Sequence, residues 1–202
     1  ETDPLANITS REYDVDDNLT AETDALGNKT EYIYDAWDRL IKTIGPLQDT
    51  TIQQYIAIGD ESYVNALRDA EGYLTYYQYD NGGRKIAEIV KMEDGSPTPD
   101  TDDLITSFSY DPVGNLLKII NPEGDTAGYV YDDINQRTKQ CNGEGECTQT
   151  EYDSDGRIAQ ITQPNGNVIV YEYDELGQLV KISDNLGIVN EKDSDGVFNP
   201  VT

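Results

Sequence analysis

A single tyrosine recurs along the chain at a fixed period, and that period limits what the chain can become. The dipeptide Tyr-Asp stands at Tyr13, Tyr34, Tyr79, Tyr110, Tyr131, Tyr152 and Tyr173, and Tyr55 falls in the same series without its Asp. The intervals are 21, 21, 24, 31, 21, 21 and 21 residues. A period in this range marks a stack of small units, none of which buries its apolar face alone.

Each of these tyrosines can serve as position zero of its unit. A second ring often stands two residues earlier, as at Tyr32, Tyr77, Phe108, Tyr129 and Tyr171. Alternation of period two on this scale describes a strand with one covered face. Glycine follows four residues on at Gly114, Gly156 and Gly177, and position six is aliphatic at Leu19, Leu40, Leu116, Ile158 and Leu179. Position twelve is often proline, at Pro46, Pro122 and Pro164, and position fourteen is often glycine, at Gly27, Gly124, Gly145, Gly166 and Gly187. Asp-x-x-Gly and Pro-x-Gly are turn chemistry: Asp bonds back to its own backbone, Pro presets φ and Gly supplies positive φ. Each unit therefore reads as strand, turn, strand, turn, one β-hairpin of about 21 residues. The fold class expected is all-β, a tandem array of antiparallel hairpins stacked into a spiralling sheet or hollow tube. Fifteen tyrosines stand against two Phe and one Trp. This suits thin β-structure in which each ring is covered on one side and its hydroxyl stays wet.

The array is expected to form one domain over residues 1–202, with units anchored at Tyr13, Tyr34, Tyr55, Tyr79, Tyr110, Tyr131, Tyr152, Tyr173 and Lys192. The unit at Tyr55 gains three residues near Gly59, and the unit at Tyr79 gains ten, an acidic loop near residues 91–103. The runs Tyr171-Glu172-Tyr173-Asp174-Glu175-Leu176-Gly177-Gln178-Leu179 and Asp24-Ala25-Leu26-Gly27-Asn28-Lys29-Thr30-Glu31-Tyr32-Ile33-Tyr34-Asp35 resemble the Rhs family, also called YD repeats. That family is known from bacterial Rhs proteins, insecticidal toxin complexes and animal teneurins. The resemblance implies a spiralling sheet of hairpins, often wound into a hollow shell, with no active site in the repeat itself. Some members enclose a toxin and others act in cell-surface contact.

Charge excludes several partners. Forty acidic side chains oppose 14 basic ones for a net charge of −26, and there is no histidine. Such a surface repels nucleic acid and anionic membranes, and no apolar run is long enough to insert into a bilayer. Without histidine the usual Ser-His-Asp, Cys-His and His-containing zinc sites are excluded. With so many carboxylates, paired acids carry no catalytic signal, so no enzyme activity, no catalytic residue and no cofactor is expected. Asp153, Asp155, Asp193 and Asp195 resemble the start of a calcium loop but lack its later ligands, so they stand only as weak calcium candidates. A tyrosine surface could hold sugars, yet the regular alternation of the rings favours burial. Three glycosylation sequons, at Asn7, Asn18 and Asn28, are close to chance frequency.

Cys141 and Cys147 are the only cysteines, and they flank the turn Asn142-Gly143-Glu144-Gly145-Glu146. Facing each other across a hairpin, they are expected to form a disulfide, which points to an oxidising, extracellular compartment. The ends of the chain also complement each other. Lys192 to Phe198 copy Tyr152 to Ile158, and the final unit stops mid-hairpin, whereas Glu1 to Asn7 read as the second half of one. The chain thus reads as a segment of a longer array. Joined end to end, copies would bury Val197, Phe198 and Val201 beside Leu5 and Ile8, a head-to-tail seam made covalently or as a polymer. The leading reading is an extracellular structural repeat, the unit of a filament, stalk or surface coat. The alternatives are a wall segment of a toxin-enclosing shell and a glycan or cell-surface binding module.

Overall fold

A computed structural model describes residues 9–91, 99, 101–187, 189–192 and 197–200. By its internal contacts the chain divides into two compact units, Glu1–Thr106 and Ser107–Thr202. The first holds β1 (Ser10–Tyr13), β2 (Leu19–Thr23), β3 (Lys29–Tyr34), β4 (Leu40–Ile44), β5 (Thr50–Ile58), β6 (Glu61–Arg68), β7 (Leu74–Tyr79) and β8 (Lys85–Lys91). Each pairs antiparallel with its neighbour in sequence.

The second unit takes the end of β9 (Leu104–Tyr110), then β10 (Leu116–Ile120), β11 (Thr126–Tyr131), β12 (Arg137–Cys141), β13 (Cys147–Tyr152) and β14 (Ile158–Thr162). It continues through β15 (Val168–Tyr173), β16 (Leu179–Asp184), β17 (Val189–Lys192) and β18 (Phe198–Pro200), again paired in sequence order. The array of antiparallel hairpins expected from the repeat is what the chain forms.

The Asp that follows most repeat tyrosines builds a five-residue turn. At Asp35 the backbone N–H donates to the Arg39 carbonyl (3.0 Å), and the Asp38 N–H donates back to the Asp35 carbonyl (3.1 Å). The Asp35 carboxylate accepts the N–H groups of Trp37 (2.9 Å) and Arg39 (3.2 Å). The same bonds recur at Asp111, Asp153 and Asp174. The fourth turn residue must adopt positive φ, which Gly takes without a Cβ penalty, as at Gly114 (103°) and Gly156 (80°). Where glycine is missing, Asp17, Asp38, Gln48 and Asn135 take that conformation (58° to 66°), three of the four being the Asp or Asn that tolerates it best.

Every tyrosine-anchored hairpin also carries a β-bulge at the same place. Tyr34 pairs with Leu40 but Ile33 pairs with Lys42, so Ile41 is the extra residue. The same shift follows Tyr13, Tyr55, Tyr79, Tyr110, Tyr131, Tyr152 and Tyr173. Lys192, which holds the tyrosine position in the ninth unit, pairs with Phe198 with no shift.

The two insertions differ in kind. At Tyr55 the three extra residues lengthen the hairpin: Ile56, Ala57 and Ile58 pair with Tyr63, Ser62 and Glu61, and Gly59-Asp60 close a tight turn in place of the five-residue one. Most of the second insertion, residues 92–98 and 100, lies outside the described residues. At its base Lys91 Nζ meets Asp103 Oδ2 at 2.6 Å, with both side chains 1% exposed.

Candidate functional site

The site that recurs is a seam between successive hairpins. A bulge interrupts the ladder and leaves backbone groups near the extra residue in need of partners. The next tyrosine supplies one. The Tyr34 hydroxyl donates to the Leu19 carbonyl at 3.0 Å, Tyr55 to Leu40 at 2.8 Å and Tyr79 to Val64 at 2.7 Å. Tyr152 donates to Arg137 and Tyr173 to Ile158, both at 2.9 Å. In all five the accepting residue is the one that faces the preceding tyrosine across its bulge. In these five units the hydroxyl is therefore not left to water, as the sequence suggested, but ties its hairpin to the one before. Burial raises the pKa of the Tyr34, Tyr77 and Tyr79 hydroxyls above the usual tyrosine value. Most repeat tyrosines are half-buried rather than core residues, and Tyr13 is exposed.

Position five, just before the aliphatic residue, is a second element of the seam. Arg39 Nε donates to Asp35 at 2.8 Å, its guanidinium lies 4.6 Å from the Tyr55 ring centroid, and its Nη1 donates to Ser62 at 2.8 Å. Arg157 repeats the arrangement, bonded to Asp153 at 2.7 Å and 4.8 Å from the Tyr173 ring. Asn18 and Asn115 bond their own turn Asp and then reach the next turn at Asp38 and Asn135, both at 2.8 Å. The sequence carries the signal: in the seven units whose tyrosine is followed by Asp, this position reads Asn18, Arg39, Arg84, Asn115, Gln136, Arg157 and Gln178, each a side-chain donor. These bonds hold the carboxyls of Asp14, Asp35, Asp80 and Asp153 below the usual aspartate range. The leading cause is the Asn18 backbone N–H at Asp14, the Arg39 side chain at Asp35, and the backbone N–H of Arg84 and Arg157 at Asp80 and Asp153.

Several sequence candidates fall into place here. Cys141 and Cys147 are directly paired across β12 and β13 and form a disulfide, with Cα atoms 4.1 Å apart. Asp153 and Asp155 each place one carboxylate oxygen on Arg157, at 2.7 Å. Asp193 and Asp195 lie outside the described residues. Among the described residues no group of three or more His, Cys, Asp or Glu side chains is placed to hold a metal. The sequon residues Asn18 and Asn28 use their side-chain nitrogens inside the turns, on Asp14 and Asp24, and Asn7 is outside the described residues. Of the seam between copies, Leu5, Ile8, Val201 and the Phe198 side chain are outside the description, and Val197 is exposed. No described helix is long and apolar enough to cross a membrane.

Known proteins share this geometry. The crystal structure of TcdB2-TccC3-TEV superposes with a TM-score of 0.69 at 16% identity, covering 96% of this chain and 11% of that one. A TcdB2-TccC3-Cdc42 crystal structure gives 0.51 at 13% identity, covering 96% and 14%. A Photorhabdus luminescens Tc holotoxin pore carrying a TccC3 mutation gives 0.50 at 15% identity, covering 96% and 13%. At these identities the likeness is one of fold, and the chain spans 11% to 14% of the length of these proteins. No curated protein sequence matches the chain. The family model described as RHS Repeat matches residues 13–50, 131–168 and 152–189, each match opening on a repeat tyrosine. With its period, its Tyr-Asp turns and these matches, the chain belongs to the RHS repeat family.

Proposed function

We propose that the chain is a non-enzymatic wall segment of an Rhs-type shell, part of a larger protein that works outside the cytoplasm. The observation that carries this reading is the hydroxyl-to-carbonyl bond linking successive hairpins. At five of the repeat tyrosines it fixes a hairpin to the backbone of its predecessor, which holds the array together without a deep core. Among the described residues only Ala21, Ala66, Ala87 and Ile89 are buried apolar side chains. A wall with solvent on both faces has this composition, and the charge of −26 keeps both faces hydrated. The fold shared with the TccC3-containing structures supports the same reading over a filament or a separate binding module. The disulfide fits an oxidising compartment. Electron microscopy of the full-length parent protein tests it. A closed hollow particle with this segment in its wall is expected, and a uniform filament of stacked copies would overturn it.

A further inference from the structure

The second unit exposes apolar side chains in a connected strip rather than singly. Val113 (73% exposed), in the turn after Tyr110, lines an open groove of ≈ 430 Å³ together with Leu117 (39%) and Val130 (51%). Leu117 is the extra residue of its bulge, and Val130 alternates with Tyr129 and Tyr131, so its side chain lies on the face opposite theirs. Val130 also lines the adjoining groove of ≈ 600 Å³, with Ile134 (70%) from the following turn. One apolar strip therefore runs across two consecutive hairpins. Scattered exposed apolar residues need no explanation, but a contiguous strip with a polar rim marks an interaction surface.

The rim specifies charge. Asp111, Asp132, Asp133, Glu151 and Asp153 line the two grooves, and Lys139 is the one basic residue among the lining residues. Arg157 neutralises Asp153, which leaves the rim clearly negative. The repeat specifies spacing. Val113 and Ile134 occupy the same turn position one hairpin apart, which is about 10 Å at two strand spacings of about 4.8 Å. A polyproline II segment presents side chains on one face every third residue, about 9.3 Å apart. A fully extended strand repeats at about 6.6 Å and fits less well.

We infer that this strip docks an extended polyproline II segment of a partner protein, with an apolar side chain at every third residue and Lys or Arg between. Two apolar anchors fill the Val113–Leu117–Val130 and Val130–Ile134 grooves, and the intervening cations meet the acidic rim. The inference does not depend on the shell reading, since it concerns one surface of the second unit.

Fluorescence anisotropy on the full chain tests it. The probe is a labelled synthetic peptide of four Leu-Lys-Pro repeats, beside one of four Ser-Lys-Pro repeats with the same charge. The Leu peptide binds saturably, and the Ser peptide binds at least about tenfold more weakly, a difference of about 1.4 kcal/mol. The double variant Val130→Ser, Ile134→Ser weakens the Leu peptide by a similar factor. Leu176→Ser, an exposed turn residue outside both grooves, leaves it unchanged. Absence of saturable binding, equal binding of the two peptides, or insensitivity to the double variant would each overturn the inference. Should the double variant misfold, hydrogen exchange on the native chain decides. Protection by the Leu peptide confined to residues 111–154 supports the strip, and protection elsewhere contradicts it.

Discussion

The two compact units are built from one repeat yet are stabilised differently. The buried side chains among the described residues, Ala21, Ala66, Ala87, Ile89 and the Lys91–Asp103 pair, belong to the first unit. That unit also holds both insertions, the lengthened hairpin of β5 and β6 and the segment closed by Lys91 and Asp103. The second unit keeps strict 21-residue spacing from Tyr110 to Tyr173 and relies on ladder bonds, turn carboxylates, tyrosine ties and one disulfide. Departure from the period thus coincides with a deeper core. Both units share the seam hydrogen bonds, and among the described residues only the first adds burial to them.

The largest effect should therefore lie in the first unit. Asp103→Ala removes the carboxylate that meets Lys91 Nζ at 2.6 Å in a site 1% exposed. Loss of one partner of a buried pair costs about 3–5 kcal/mol. Hydrogen exchange should show β7 and β8 opening while β11 to β16 keep their protection. Equal loss in both units would break the contrast. Ile89→Ala, at a side chain 0% exposed, should cost about 2–5 kcal/mol in the same strands.

A smaller effect is expected from the disulfide. Its turn is already closed by Asn142, whose N–H donates to the Glu146 carbonyl at 2.9 Å and whose side chain accepts the Glu144 and Glu146 N–H groups. Reduction should cost about 2 kcal/mol, the entropy of so short a loop. Denaturant melts with and without reductant check this, and collapse of the unit on reduction would show that the hydrogen-bonded seams are not enough.

Acid should act on both units. The carboxyls of Asp14, Asp35, Asp80 and Asp153 titrate lower in the folded chain than their ordinary value of 3.8. Their contribution is complete above that value and is lost as pH falls through the folded pKa values. Melting temperature should be flat from neutral pH down to about pH 5 and decline below pH 4. Asp35→Asn should flatten that decline in the first unit, and Asp153→Asn in the second. An undiminished decline in these variants would mean the turn carboxylates are not its cause.

Much of this was legible in the sequence because it is local. The tyrosine interval sets the hairpin, Asp and Gly set the turn, and the placement of Cys141 and Cys147 sets their pairing. The seam was harder to see. A bulge is a difference of one residue between partner strands, and nothing in the composition of Leu40-Ile41-Lys42 announces it. The hydroxyl destination depends on the bulge, so it stayed hidden as well. Position five carries no single residue type to draw the eye, since its Asn, Arg and Gln share only their donors. Lys91 and Asp103 are joined across an inserted segment with no period, where sequence spacing carries no geometric information.

The central claim is that tyrosine hydroxyls bolt successive hairpins together, and deletion of the hydroxyls alone tests it. Tyr152→Phe and Tyr173→Phe keep the rings and remove the bonds to the Arg137 and Ile158 carbonyls. Each lost bond leaves a carbonyl short of a partner and should cost about 1 kcal/mol, so the double variant should lose about 2 kcal/mol in urea melts. The loss should appear as faster hydrogen exchange in β12 to β16, with β2 to β8 unchanged. Native stability and unchanged exchange in the double variant would contradict the claim.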